Sequence, residues 1–199
     1  LPAAGLGAER VVPIALHVDY WNYLGWPDPF SQPQFSQRQR QMGVINGLPT
    51  IYTPQVLLNG RDLRSWHRWS HVMHEVDRVN AAPARAEIKL ALRHPAAERL
   101  QIDASVKILD AASKPHAQLF LVVYENGLRR QVTAGENTGR TLHHSFVARA
   151  FIGPLPVEQA GITRSVDLAA EWKRQDLGVV AFVQDPRNAD VLQALALPL

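Results

Sequence analysis

The chain has 199 residues, 46% of them hydrophobic and 20% charged, which is the composition of a folded globular protein and not of a disordered one. Its net charge is +3 and no long block of like charges occurs, so no nucleic-acid partner is expected. The absence of cysteine excludes disulfides, thiolate metal ligands and thiol catalysis by these residues, and no apolar run is long enough to cross a bilayer.

The first element predicted along the chain is a buried strand. Residues 1–5 resemble the end of a helix, and no basic segment followed by a hydrophobic one precedes the strand, so we expect no signal peptide here and a mature or truncated form. The nearly continuous apolar run over 11–18 is typical of a central parallel strand buried on both faces. An aromatic loop over 19–30 follows, and its aromatic residues are Tyr20, Trp21, Tyr23, Trp26 and Phe30.

Two helices and a hairpin are predicted next. Ser31 begins a capping-box pattern for a helix over 31–47. Thr53-Pro54 then opens a strand, and Asn59-Gly60 predicts a tight hairpin because both turn positions need positive φ. Ser65 is predicted to cap a second helix, and the apolar stripe of that helix is Trp66, Trp69, Val72, Met73, Val76 and Val79.

From about residue 86 the pattern changes to short strands of alternating apolar and polar residues, which is typical of an antiparallel β-sandwich. Asn126-Gly127 predicts a second hairpin turn. The predicted strands cover residues 86–92, 100–108, 119–124, 145–152, 163–168, 177–184 and 191–195. The sequence therefore predicts an α/β protein with one domain over 1–83 and a β-sandwich domain over 85–199.

The Thr53-Pro54 turn and the aromatic loop are the candidates for a binding site. A cis X-Pro bond costs only about 0.5–1 kcal/mol, so a fold can select it readily. The elements on either side of Thr53-Pro54 favour the cis form, and the alternative is a trans proline that only begins a strand. The aromatic loop also allows two interpretations, a binding lip or a set of core side chains that cover one end of a sheet.

Two groups of polar residues are candidates for acid–base or metal chemistry. Asp19 and Asp28 would act as acids or bases if they were desolvated, but capping a turn and filling the Pro-Asp-Pro bend are the simpler interpretations. His67, His71 and His74 have the helical spacing of metal ligands, although a solvated helix face explains them as well.

The remaining motifs favour no chemistry. His143 and His144 are adjacent on a strand, so their side chains would point to opposite faces, which suits a surface or structural role. No hydrolase, phosphate-loop or dinucleotide motif is present, and we predict no cofactor and no metal.

Three motifs together resemble a known family. They are ALHVDYWNYLGW over 15–26, YTPQVLLNG over 52–60 and GENTGRTL over 135–142, and the segment VVAFVQDP over 179–186 fits the last strand of the family. Over most of its length the chain resembles a family of bacterial secreted proteins of unknown function that is assigned a thioredoxin-like fold. The resemblance implies a periplasmic or secreted location.

The resemblance also implies where a site would lie. Members of the family usually carry a strand and a Cys-x-x-Cys motif upstream of the first motif, and no residue of this chain matches either cysteine. The thioredoxin-like domain is therefore expected to lack its first strand and its thiol motif, which leaves an edge or an apolar face to be covered. Thr53 and Pro54 match the turn that faces a peptide, and Asp19, Tyr20 and Trp21 match strand ends of the family. These five are the candidate substrate-binding residues.

Two functional hypotheses follow. The first is a secreted or periplasmic thioredoxin-like protein that exchanges disulfides in a full-length form, with Thr53 and Pro54 positioning the peptide. Without a thiolate the present residues cannot catalyse that exchange. The second is a non-enzymatic module that binds or assembles with a protein partner through the aromatic loop and a sheet edge. The second domain has no motif that favours either function.

Overall fold

The three-dimensional structure is a computed structural model that describes residues 7–135, 137–157 and 161–199. Residues 1–5, for which the sequence predicts a helix end, and Glu136 of the GENTGRTL motif lie outside the described residues. The described residues form two α-helices, and neither is long and apolar enough to span a membrane. The helices are α1 (Pro33–Ile45) and α2 (Trp69–Ala81), and the strands are β1 (Leu57–Leu58), β2 (Arg61–Asp62), β3 (Ala86–Ala96), β4 (Arg99–Ile108), β5 (Gln118–Glu125), β6 (Leu128–Gln131), β7 (Thr141–His144), β8 (Val147–Pro156), β9 (Ile162–Asp167), β10 (Leu177–Gln184) and β11 (Val191–Pro198).

The strands assemble into two larger antiparallel sheets and two small hairpins. The four-stranded sheet has the order β11-β10-β5-β8, and the three-stranded sheet has the order β3-β4-β9. The hairpins pair β1 with β2 and β6 with β7. The chain is thus a mixed α/β protein with several antiparallel sheets, as predicted. The strands predicted after residue 86 are all present, whereas the sequence pattern does not indicate β6 and β7.

The two middle strands of the four-stranded sheet, β5 and β10, are apolar on both faces. Side chains alternate between the faces of a strand, so Leu119, Leu121 and Val123 of β5 all point to one side. They share an apolar core with Leu100 and Ile102 of β4, which are both 0% exposed. The two larger sheets therefore bury one common core.

The opposite face of the four-stranded sheet is covered by residues from the first half of the chain. Phe35 of α1 is 1% exposed and packs with Phe120 and Val122 of β5. The amino-terminal segment adds partly buried side chains to the same cluster, namely Val12, Ile14 and Leu16. This second core is therefore formed by side chains from both halves of the chain. The division into domains over 1–83 and 85–199 stays a prediction.

Arg38 of α1 occupies a cage of aromatic rings on this face. Its guanidinium carbon lies 4.7 Å from the ring centre of Phe120, 5.3 Å from that of Phe151 and 5.4 Å from that of Phe182. Burial lowers the pKa of Arg38 to about 10, so the side chain stays protonated at neutral pH. Because a desolvated cation–π contact contributes about 2 kcal/mol, the cage helps to hold α1 on the sheet.

The amino-terminal segment over 11–18 is not the central strand that its apolar run predicts. It forms one parallel bridge, between Ala15 and Val147, beside the start of β8. The Ala15 N–H donates to the Phe146 carbonyl at 2.8 Å. Pro13 has no N–H with which to extend the ladder, so the segment pairs through a single residue at the margin of the sheet.

Helix α1 begins one residue later than its capping-box pattern predicts. Gln32 occupies the N-cap position, and Pro33 is the first helical residue, where its fixed φ is favourable. The Ser31 hydroxyl does not cap the helix; it donates to the Asp28 carbonyl at 2.7 Å. The Ser31 side chain is therefore engaged in a local turn and does not cap α1.

Helix α2 also begins later than predicted, and its tryptophans face solvent. Arg68 is the N-cap residue, and Ser65 lies in the preceding turn, where its carbonyl accepts from the Arg68 N–H at 2.8 Å. Trp66 and Trp69 are 39% and 45% exposed, so they do not belong to a buried stripe. Val76 is the residue of the predicted stripe that is fully buried.

One of the two predicted hairpins is present. Asn59 and Gly60 connect β1 and β2 with positive φ at both positions, as predicted. Asn126-Gly127 does not join paired strands, because β5 pairs with β8 and β10 while β6 pairs with β7. The hairpin prediction for Asn126-Gly127 is therefore wrong, although Gly127 has the positive φ of a tight turn.

Gly60 docks the first hairpin on the turn before β11, and this contact generates a stability prediction. A Cβ at Gly60 would lie 1.8 Å from the Ala189 carbonyl oxygen, whereas a Cβ at Gly47 would have no neighbour within 4 Å. Both glycines have positive φ, which costs any other residue about 1–2 kcal/mol. We expect Gly60→Ala to lower the free energy of unfolding by about 1–3 kcal/mol more than Gly47→Ala, measured by urea denaturation. Equal losses would contradict the docking contact.

Phe35 anchors α1 to the four-stranded sheet, and its removal tests the second core. We expect Phe35→Ala to lower the free energy of unfolding by about 3–5 kcal/mol, because it leaves a cavity against the sheet. Val44 on the same helix is 80% exposed, so Val44→Ala is expected to change stability by less than about 0.5 kcal/mol. A small loss for Phe35→Ala in thermal or urea unfolding would show that α1 is not needed to cover the sheet.

Candidate functional site

The aromatic loop meets the Thr53-Pro54 turn through one side-chain hydrogen bond. The Trp21 Nε1–H donates to the Thr53 hydroxyl oxygen at 2.9 Å. The peptide bond between Thr53 and Pro54 is cis, as predicted, and both residues are exposed. Residues that lie 32 positions apart in the sequence therefore form one continuous surface.

Helix α1 holds the other two candidate residues of the loop. The Tyr20 hydroxyl donates to Gln39 Oε1 at 2.9 Å, and Gln39 Nε2 donates to the Tyr52 carbonyl at 2.9 Å. The Asp19 N–H donates to the Ser36 hydroxyl oxygen at 3.0 Å, and that hydroxyl donates back to the Asp19 carboxylate. The structure thus brings Asp19, Tyr20 and the Thr53-Pro54 turn together around one face of α1.

Ser36 and Gln39 were not expected at this site from the sequence. They lie three positions apart, beside the buried Phe35, and so they share a helix face next to the one that packs on the sheet. Ser36 is only 1% exposed, which marks it as a polar residue with a partner. Helical spacing of polar residues next to an apolar anchor was the signal available in the sequence, but it does not reveal the partner.

A buried carboxylate supports the turn from the other side. Asp62 accepts hydrogen bonds from the Tyr52 hydroxyl at 2.8 Å and 2.9 Å and from Gln55 Nε2 at 2.8 Å. Its side chain is 7% exposed, and Arg64 Nε lies 3.3 Å from it. Burial, and then the hydrogen bond and the charge of Asp62, raise the pKa of Tyr52, so the hydroxyl remains a donor. The residues on both sides of Thr53-Pro54 are therefore fixed.

The aromatic loop combines both interpretations that the sequence allowed. Phe30 is 3% exposed and belongs to the interior, whereas Trp21 is 49% exposed and Tyr23 is 76% exposed. The rings of Trp21 and Tyr23 lie 6.4 Å apart and are tilted by 31°. Leu24, at 48% exposure, continues this apolar surface. One end of the loop is therefore a core element, and the other end is a surface of exposed rings.

The turn also offers backbone groups. Within the described residues, Ile51, Thr53 and Pro54 take part in no backbone hydrogen bond, although Tyr52 between them accepts from Gln39. Free backbone groups beside exposed aromatic rings are what an extended polypeptide needs to bind by strand addition. That Asp19, Tyr20, Trp21, Thr53 and Pro54 bind a substrate stays a prediction.

Asp28 is engaged in a contact that the sequence did not predict. Its carboxylate accepts from His17 Nδ1 at 2.5 Å and from the Phe30 N–H at 2.9 Å. Burial alone would raise the pKa of Asp28, but the hydrogen bond and charge of His17 and the Phe30 N–H outweigh it and lower the pKa. Asp28 is therefore ionised at neutral pH and is not poised to donate a proton.

The three histidines near α2 do not share one helical face. His67 precedes the helix, which begins at Trp69, so its expected helical relation to His71 and His74 is lost. Among the residues that the structure describes, no group of three or more His, Cys, Asp or Glu side chains is arranged to hold a metal ion.

The fold resembles that of several solved proteins at low sequence identity. A structural genomics protein from Agrobacterium tumefaciens is 20% identical, with a TM-score of 0.64 over 94% of this chain and 80% of that chain. HBP35 of Porphyromonas gingivalis is 16% identical, with a TM-score of 0.64 over 84% of this chain and 58% of that chain. A domain of the outer membrane lipoprotein Omp28 from Porphyromonas gingivalis gives a TM-score of 0.44 at 15% identity, over 59% of this chain and 90% of that one. The first two similarities concern the fold alone.

Sequence comparison identifies the family. No curated protein matches the chain. Residues 3–184 match the family described as "Protein of unknown function (DUF1223)", which includes all of the motifs over 15–26, 52–60 and 135–142. Because the match covers most of the 199 residues, the chain belongs to the DUF1223 family.

Proposed function

We propose that this chain is a thioredoxin-like protein that acts outside the cytoplasm and binds an extended segment of another polypeptide at the surface of Trp21, Thr53 and Pro54. The observation that carries the proposal is the hydrogen bond of 2.9 Å between Trp21 and Thr53, because it joins exposed rings to a turn with free backbone groups. The location outside the cytoplasm rests on the resemblance to secreted proteins.

The order of elements around the turn supports the thioredoxin-like assignment. Helix α1 precedes the turn, the β1–β2 hairpin follows it, and α2 follows the hairpin, which is the order expected from the family resemblance. The common core of the two larger sheets supports a β-sandwich over 85–199.

The geometry supports polypeptide binding in particular. Strand addition needs an exposed backbone for affinity and neighbouring side-chain surfaces for specificity. The turn supplies the first, and the rings of Trp21 and Tyr23 supply the second, at low entropic cost because Trp21 is already held by Thr53. Side chains held in place before binding lose little freedom when a ligand arrives.

Thiol–disulfide exchange is the extension of this proposal to a full-length form. The exchange requires a thiolate, and the 199 residues contain no cysteine. Thr53 and Pro54 would then position the peptide next to a thiol supplied from outside this sequence. The alternative is a binding or assembly module without any catalytic step, and the exposed surface of Trp21, Tyr23 and Leu24 favours it for the present residues.

Removal of the Thr53 hydroxyl tests the binding surface. We expect Thr53→Val, which keeps the side-chain shape, to weaken binding about 2- to 10-fold, because one hydrogen bond contributes about 0.5–1.5 kcal/mol. Binding is measured by fluorescence anisotropy with a labelled, permanently unfolded polypeptide, reduced and carboxymethylated lactalbumin. Thr163→Val on the exposed face of β9 removes one hydroxyl hydrogen bond, to Asp103, away from this surface, so it is the matched control and should bind like the parent protein. No saturable binding by the parent protein would overturn the proposed function.

Gln39 is expected to be a positioning residue for the same surface. Gln39→Met removes its hydrogen bonds to the Tyr20 hydroxyl and the Tyr52 carbonyl while it keeps the side-chain volume. We expect a shifted Trp21 indole N–H resonance in NMR spectra and binding weakened about 2- to 10-fold, without loss of the fold. Gln41→Met, at an exposed position of α1, is the control. An unshifted Trp21 resonance would show that Gln39 does not position the loop.

A further inference from the structure

Three rings from three separate segments pack against one another at the buried end of the aromatic loop. The ring centres of His17 and His144 lie 5.1 Å apart, and Phe30 lies 5.6 Å from His17 and 5.5 Å from His144. All three pairs have edge-to-face geometry, which is favourable for such rings. The cluster thus joins the amino-terminal segment, the aromatic loop and β7.

The charged groups around the three rings differ from one ring to the next. The Oδ2 atom of Asp28 lies 2.5 Å from the Nδ1 atom of His17, so a carboxylate faces that ring directly. The guanidinium groups of Arg130 and Arg149 each lie 5.2 Å from the ring centre of Phe30. Arg149 faces the buried Glu125 at 3.3 Å, and it also lies 4.0 Å from Glu171. His143 belongs to the same hairpin and is exposed.

His144 has no comparable partner for its ring nitrogen. Among the described residues, its Nε2 atom is buried and has no hydrogen-bond partner. Burial, and then the charges of His17, Arg130 and His143, lower the pKa of His144, and the charge of Asp28 opposes them. The neutral imidazole is therefore the form that fits this site.

The β6–β7 hairpin that carries His144 also touches the aromatic loop through its connecting segment. A Cβ at Gly25 would lie 3.7 Å from Ala134, and one at Gly135 would lie 3.5 Å from the Leu24 carbonyl oxygen. The exposed part of the loop, next to Trp21 and Tyr23, therefore rests against this hairpin. A change that moves the hairpin removes support from the candidate binding surface.

We propose that His144 is a proton-operated clasp: its protonation in mildly acidic solution releases the β6–β7 hairpin from the aromatic loop and weakens polypeptide binding at the Trp21–Thr53 surface. The effect on binding rests on the proposed function, whereas the release of the hairpin does not.

The direction of the effect follows from the proton equilibria. A histidine whose pKa is lower in the closed structure than in an exposed state binds a proton more readily once the hairpin has opened. The closed state is therefore fully favoured above the ordinary histidine pKa of about 6.5 and is progressively lost below it. The pKa of Asp28 is lowered, so its carboxylate stays ionised over this pH range. Its contact with His17 is therefore kept while His144 takes up its proton.

Amide hydrogen exchange followed by mass spectrometry tests the clasp in the whole chain. Over the change from about pH 7.5 to about pH 5.5, we expect protection of the hairpin at 128–134 and 141–146 to fall about tenfold after correction for the intrinsic rate. His144→Phe keeps a ring beside Phe30 and removes the titrating group, so it should abolish the fall. His143→Phe, the exposed neighbour, should retain it. Equal protection at both pH values in the parent protein, or the same fall in His144→Phe, would overturn the clasp.

A second measurement uses the unmodified protein, in case His144→Phe does not fold. NMR titration of the histidine ring protons should give His144 a pKa below the ordinary histidine value of about 6.5, with a midpoint that matches the loss of protection. An ordinary pKa for His144 would overturn the clasp.

Anisotropy with the unfolded lactalbumin probe then separates the two proposals. Binding that weakens with the hairpin opening supports the clasp as a regulator, and unchanged binding overturns that role. Binding that is absent at both pH values contradicts the proposed function, and the exchange data still decide whether the hairpin opens.

Discussion

The packing on both faces of the four-stranded sheet is the constraint on which the rest of the structure depends. β5 and β10 carry apolar side chains on each side, and alternate residues enter two different cores. A sheet with two apolar faces is stable in water only if both are covered. The three-stranded sheet covers one face, and α1 with the amino-terminal segment covers the other.

This requirement gives α1 a double role. One of its faces carries Phe35 and Arg38 into the sheet, where a ring and a caged cation hold the helix in place. The adjacent face carries Ser36 and Gln39, which hold the aromatic loop and the segment that leads to the turn. The core and the candidate site are therefore positioned by the same helix, and a shift of α1 on the sheet would be transmitted to Trp21 and Thr53.

Much of the fold could be predicted from local patterns, and the departures have physical reasons. The strand over 177–184 and the hairpin at Asn59-Gly60 were predictable because hydrophobic runs and positive-φ turns are properties of neighbouring residues. The strand predicted over 11–18 is an edge segment instead, because apolar character does not distinguish a central strand from a chain packed at the margin. Trp66 and Trp69 fit a helical stripe by spacing, yet the packing around α2 leaves them in solvent.

The sequence by itself determined the class of the protein, its family resemblance, the turn residues and the absence of a thiol, because these are written in composition and in short motifs. Only the tertiary structure decided which residues touch. Trp21 with Thr53, Gln39 with Tyr20, and His17 with His144 are contacts between residues far apart in the chain. No local pattern encodes such pairs, because they follow from how the helix, the loop and the hairpin pack around a shared sheet. The candidate site and the histidine clasp are both made of contacts of this kind.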